Sequence, residues 1–199
     1  MTIDLFAQHA SEYEAPATTP ALVETTPATC LAIAGQGPPG GEEFDGALGA
    51  VMATAHAVEA AYRNQGQGFV VGKLEALWWT DAVEGIEFAA RPRSEWKWKL
   101  LVRVPDFVDA EQVAAAARLN GERGMATAGL TLEKVAEGRC AQILHVGAYR
   151  GIPEAMDAIR RFAGEHGLQI AGRHHEICLT DPRQTPLENL RTIIRYPVR

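Results

Sequence analysis

The chain has 199 residues, 47% of them hydrophobic and 22% charged, the mixture of an ordinary globular domain able to bury a sizeable core. A net charge of −6 argues against a phosphate-tracking nucleic-acid surface, which needs a basic stripe. The cysteines Cys30, Cys140 and Cys178 are odd in number and form no CxxC pair, which argues against a disulfide framework and fits a reducing, cytoplasmic setting.

The N-terminal stretch MTIDLFAQHASEYE has no apolar run of signal-peptide type, and no apolar segment of the chain approaches the length of a membrane span. Residues 1–27 read as an arm or an edge strand, with Ala21 to Glu24 paired. Cys30 to Gly35 follows as a strand, then the loop GQGPPGG. That loop lacks the GK[ST] ending and the GxGxxG spacing of phosphate loops. Phe44, Leu48, Val51, Met52, Ala55, Val58 and Ala61 recur at helical spacing and predict a helix from Glu42 to about Tyr62.

Phe69 to Trp79 and Trp96 to Val104 read as strands joined by a long hairpin loop, Asp81 to Ser94. In the second strand Trp96, Trp98, Leu100, Val102 and Val104 alternate with Lys97, Lys99, Leu101 and Arg103, so one face is covered. Asp109 caps an Ala-rich helix reaching about Gly121. Short strands follow at Thr131 to Val135 and Cys140 to Gly147. Pro153 opens a helix reaching about His166, and Arg173 to Leu179 and Arg191 to Tyr196 are the last strands. The order repeats. The stretch LAIAG, loop, helix, KLEALWW matches ILHVG, loop, helix, HHEICL, with Glu75 and Glu176 at corresponding places. The expected fold is therefore α+β, with duplicated β-α-β-β units (about 28–107 and 130–199, joined by a helix at 109–121), pseudo-twofold symmetry and a ligand cleft at the seam.

Trp78-Trp79 and Trp96-x-Trp98 fall on neighbouring strands. Tryptophans fill cores as readily as they bind ligands. Clustered, they attract flat or cationic ligands by stacking and cation–π contacts worth about 1 kcal/mol each. Trp78 and Trp79 point to opposite faces, so all four do not converge. Glu176 is unusual inside a strand: facing a cleft it is a base or cation partner, facing solvent an ordinary surface charge. Glu75, beside the tryptophan pair, favours a cleft-facing role for one of the two. Tyr149 either donates from its turn to a ligand oxygen or caps the core edge. His145 and the pair His174-His175 raise the question of a metal, but adjacent strand residues face opposite ways, so no metal or other cofactor is expected. No GxSxG triad motif occurs.

Together LAIAGQGPPGGEEF, KLEALWW, WKWKLLVRVPDFV, QILHVGAY and the closing RHHEICLTDPRQTPLENLRTIIRYPV resemble the GyrI-like small-molecule-binding proteins, from about Pro20 to the C-terminus. The resemblance implies an aromatic cleft with an acidic residue, for small planar apolar or cationic organic molecules. This fold also serves multidrug-responsive regulators; no helix-turn-helix segment accompanies it here, which disfavours direct nucleic-acid binding. One branch is similar to cyclopropanoid cyclopropyl hydrolases, which open DNA-alkylating natural products by adding water. On that resemblance Glu176 and Tyr149 are catalytic, while Trp78, Trp79, Trp96, Trp98, Glu75, His145 and Cys178 line the ligand site. Cys178 stands where members often carry tyrosine, which keeps open a module that sequesters drugs without turnover. A third reading is a protein that shields a macromolecule such as DNA gyrase.

Overall fold

Among the described residues eight strands, several of them buried on both faces, form one open antiparallel sheet. The computed structural model describes residues 2–83 and 85–199. The strands are β1 (Ala21–Glu24), β2 (Ala28–Gln36), β3 (Leu74–Trp79), β4 (Lys97–Val104), β5 (Thr131–Val135), β6 (Arg139–Val146), β7 (His174–Cys178) and β8 (Arg191–Pro197). They lie in the order β1-β6-β8-β7-β3-β4-β2-β5. The block β3-β4-β2 thus meets the block β7-β8-β6 where β3 pairs with β7, while β5 and β1 lie at the two edges.

The helices are α1 (Leu5–Gln8), α2 (Glu42–Asn64), α3 (Ala110–Glu122) and α4 (Ile152–Glu165). Asp109 caps α3 by accepting from the Gln112 amide, and Pro153 sits in the first turn of α4. α2 packs on β2 and β4, and α4 packs on β6 and β8. The main core fills the space beneath them with Leu31, Ile33, Leu100, Val102, Ile159 and Ile194. Gly35 permits one close approach: a Cβ there would collide with the Trp98 ring. Among the described residues no helix is long and apolar enough to cross a membrane.

Three expectations are corrected. The strand expected from Phe69 begins only at Leu74, and Phe69 instead bridges to Ile3. The expected loop Asp81 to Ser94 folds into 3-10 turns at Gly85–Ala90 and Arg93–Glu95, because Ile86 and Phe88 are drawn into the core. Glu75 and Glu176 do not correspond in space: Glu75 pairs with Ile177 and Glu176 with Ala76. That one-residue offset sends the two carboxylates to opposite faces of the sheet.

Candidate functional site

The helix face of the seam is laid out in rows by the strand register. One row carries Tyr196, His174, Trp78 and Trp98 across β8, β7, β3 and β4. The next carries Ile194, Glu176, Ala76 and Leu100, and a third carries His145, Thr192, Cys178 and Leu74. Above this floor α2 presents Phe44, Leu48 and Met52, one turn apart on one helical stripe. Phe44 stacks on Trp78 with ring centroids 5.3 Å apart, and Trp96 meets Trp78 edge-on at 5.8 Å. Beyond Cys178 and Leu74 a cavity of about 200 Å³ opens, walled by Leu48, Met52, Val71 and the segment Leu179 to Arg183.

Glu176 lies one step in from that cavity. Its side chain is 17% exposed, and Oε1 sits 2.9 Å from His174 Nε2. His174 is buried and its Nδ1 lies 2.7 Å from the Tyr196 hydroxyl. Phe88 packs against the same imidazole, with centroids 5.3 Å apart. The Tyr149 hydroxyl reaches to 4.0 Å from the Cys178 sulfur. Burial, with Cys178 and Glu176 beside it, pushes the Tyr149 phenol up, and burial with Glu176 nearby pushes the Cys178 thiol up to about 12. Both shifts favour the protonated forms at neutral pH, which suits Tyr149 to donating and leaves Cys178 as a thiol.

The remaining expected residues divide by face. Trp78 and Trp98 are buried beneath Phe44, and among the described residues neither indole N–H has a partner. Such an unmet donor costs on the order of 1–3 kcal/mol. Trp96 is half-buried on the same side. Trp79 lies on the opposite face, its ring covered by the Arg173 guanidinium at 3.7 Å. His145 is tied down by donating from Nε2 to the Ala148 carbonyl at 2.9 Å. Glu75 is not part of the cleft: it accepts from the Tyr13 hydroxyl at 3.1 Å on the far face. No three His, Cys, Asp or Glu side chains converge to hold a metal among the described residues.

Sequence reasoning missed His174 as the partner of Glu176, and Tyr196 as the partner of His174. The signal was available in RHHEI, where residues two apart share a face. It also missed the far face. There the arm buries Glu12 and Tyr13 against Arg103, Glu75, His175, Glu137 and Arg195. Arg103 pairs with Glu12 at 3.1 Å and donates to the Thr26 hydroxyl at 3.0 Å. Arg195 donates to the Glu12 carbonyl and, at 3.0 Å, to Gln142. His175 lies between Glu137 at 2.9 Å and Glu75 at 3.0 Å, the latter contact an ion pair without hydrogen-bond alignment.

A comparison with curated proteins gave no match. Among solved structures, the chain is similar to an uncharacterised conserved protein from Listeria innocua. Identity there is 29%, each chain is fully covered, and the TM-score is 0.86. It is also similar to a hydrolase from Listeria innocua at 27% identity, with full coverage of both chains and a TM-score of 0.85. The C-terminal domain of EcmrR shares the fold at 12% identity and a TM-score of 0.61, over 91% of this chain and 97% of that one. The sequence model of the GyrI-like small molecule binding domain matches residues 18–199, and the chain belongs to that family.

Proposed function

We propose that the helix-face cleft takes up flat apolar or cationic organic molecules and that the protein opens electrophilic cyclopropanes in them by adding water. The observation carrying this reading is Glu176, a part-exposed carboxylate held by His174 beside the Trp78–Phe44 stack. The full-length likeness to a hydrolase from Listeria innocua supports hydrolysis as the class of reaction. In this reading Glu176 takes a proton from water as the water oxygen bonds to the strained ring carbon. The ring C–C bond breaks, and its electron pair passes into the conjugated acceptor of the substrate. The oxyanion formed there receives the proton of the Tyr149 phenol, and Tyr149 is reprotonated from Glu176, so the net change is addition of one water. General acid–base help of this kind is worth about 10²–10⁴-fold.

Tyr149 reaches the sulfur of Cys178, so a phenol stands beside the position at which members of this branch often carry tyrosine. That proximity favours turnover over sequestration. The mirrored strand order, β3-β4-β2 and β7-β8-β6 outward from the seam, supports descent from duplicated β-α-β-β units related by a pseudo-twofold.

Purified protein incubated with a cyclopropanoid alkylator at neutral pH is expected to yield the ring-opened water adduct, followed by mass spectrometry. Glu176→Gln is expected to reduce the rate at least 100-fold while retaining ligand binding. A rate no higher than that in buffer would remove the hydrolase reading. Quenching of tryptophan fluorescence by the unaltered compound, without product, would instead support sequestration.

A further inference from the structure

His174 is buried on the helix face, 1% exposed, and both of its ring nitrogens are engaged. A carboxylate only accepts hydrogen bonds, so the 2.9 Å contact to Glu176 Oε1 requires a proton on Nε2. Nδ1 of a neutral imidazole is then an acceptor, which the Tyr196 hydroxyl meets at 2.7 Å. An imidazolium would turn Nδ1 into a donor as well. The Tyr196 hydroxyl proton would then have no acceptor in a site where that residue is fully buried. Burial, with Glu176 nearby, pushes the Tyr196 phenol well above its ordinary range, so it stays a donor throughout the working pH range. One arrangement satisfies every group: Tyr196 O–H to Nδ1, and Nε2–H to Glu176 Oε1. Phe88 packs on the ring, and Trp78 lies beside it in the same row.

We propose that His174 is a positioning residue, locked by Tyr196 in its Nε2–H form, that holds one oxygen of Glu176 and aims the other into the cleft. The proposal rests on Glu176 being the group that meets the ligand. Its role is distinct from that of Glu176 itself, because His174 and Tyr196 are buried whereas the Glu176 side chain is part-exposed. Among the described residues Oε1 is the oxygen that has a protein partner, which leaves Oε2 for a water or a cation. Oriented carboxylates act faster than freely rotating ones, because the orientation is fixed before the reaction begins.

The test has two parts on the full chain. The first needs no variant: long-range ¹H–¹⁵N correlation of the His174 ring at pH 7. The expected spectrum is that of a neutral imidazole protonated at Nε2, and Tyr196→Phe should mix in the Nδ1–H form. An imidazolium or a predominant Nδ1–H form in the wild type overturns the proposal.

The second part is kinetic. Gln places its amide donor where Nε2 stood, whereas Asn places it where Nδ1 stood. His174→Gln is expected to keep kcat within about tenfold of wild type, and His174→Asn to lose about 100-fold, with KM moving less than threefold in both. Each is first checked for a cooperative thermal transition. Equal losses in the two, or a loss confined to KM, overturn the positioning role. A wild type that shows the Nε2–H form and binds the cyclopropanoid without opening it supports the lock while removing the hydrolase reading.

Discussion

His174 and His175 are neighbours in one strand and do opposite things. On the helix face His174 joins an uncharged relay, and the carboxylate it holds stays partly open beside a cavity. On the arm face His175 sits among Glu75, Glu137 and Arg195 in a cluster sealed by Glu12 and Tyr13. Three carboxylates there face two guanidiniums and one imidazole, so the cluster is neutral when His175 carries a proton. Burial alone would lower the His175 pKa, but Glu137 and Glu75 outweigh it and push it up to about 9. One face of the seam is therefore closed by balanced charge, and the other is left open at a single carboxylate. A polar group next to a cavity is available for chemistry, whereas one with all its partners inside the protein is available only for stability.

The largest test of that contrast removes one partner from each face. Arg103→Ala leaves Glu12 buried without its 3.1 Å partner and is expected to cost about 3–5 kcal/mol. Glu176→Gln keeps the shape of a part-exposed side chain and is expected to cost less than about 1 kcal/mol, while abolishing turnover. Urea unfolding of both variants decides it. Similar losses in the two would mean that both faces are structural.

The faces should also separate by pH. A histidine whose folded pKa lies above its unfolded value stabilises fully below about 6.5 and loses that contribution as pH rises towards about 9. Stability should thus fall between pH 6.5 and 9 with a slope of up to about 1.4 kcal/mol per pH unit. At the acid end, burial would raise Glu12 and Glu137. The Thr26 hydrogen bonds with Arg103, and His175 with Arg195, outweigh it and hold the two carboxyls below their ordinary range. Their stabilisation is present above about pH 4.5 and is lost as pH falls further. Chemical unfolding at intervals from pH 4 to 10 should therefore give a plateau near pH 5–6.5, and His175→Gln should flatten its alkaline side. A smaller version of the same test is Tyr13→Phe, which deletes the hydroxyl that bonds Glu75 at 3.1 Å and is expected to cost about 1.5–3 kcal/mol, read as a lower urea midpoint.

The sequence made the strands and long helices legible because their alternation and periodicity are strong. In β4, Trp98, Leu100, Val102 and Val104 fell on the core face as the pattern required. It did not make the pairing register legible. Glu75 and Glu176 look equivalent in KLEALWW and HHEICL, yet a one-residue offset between β3 and β7 separates them by the thickness of the sheet. Nor did it reveal that the arm is a working part of the domain. Glu12 and Tyr13 are ordinary surface residue types, and their burial depends on contacts with Arg103 and Glu75, 91 and 62 residues away. A charged residue at an interior strand position, such as Arg103 in LLVRV or Arg195 in TIIRY, was the available sign that the second face was covered as well.

The tryptophans give the smallest and most specific test. Trp78 lies under Phe44 in the row containing His174, while Trp79 is on the arm face beneath Arg173. A planar cation bound in the cleft should therefore quench Trp78 and Trp96 and leave Trp79 unaffected. Trp79→Phe is expected to change the affinity for a rhodamine dye less than twofold and to leave the fractional quenching per remaining cleft tryptophan intact. Trp78→Phe, which keeps an aromatic ring but shortens the stack, is expected to weaken binding about three- to tenfold, in line with a loss of about 1 kcal/mol. Fluorescence titration of the two variants side by side measures both. If Trp79→Phe weakens the dye as much as Trp78→Phe does, the ligand sits on the arm face, and the charge-balanced cluster there must open to admit it.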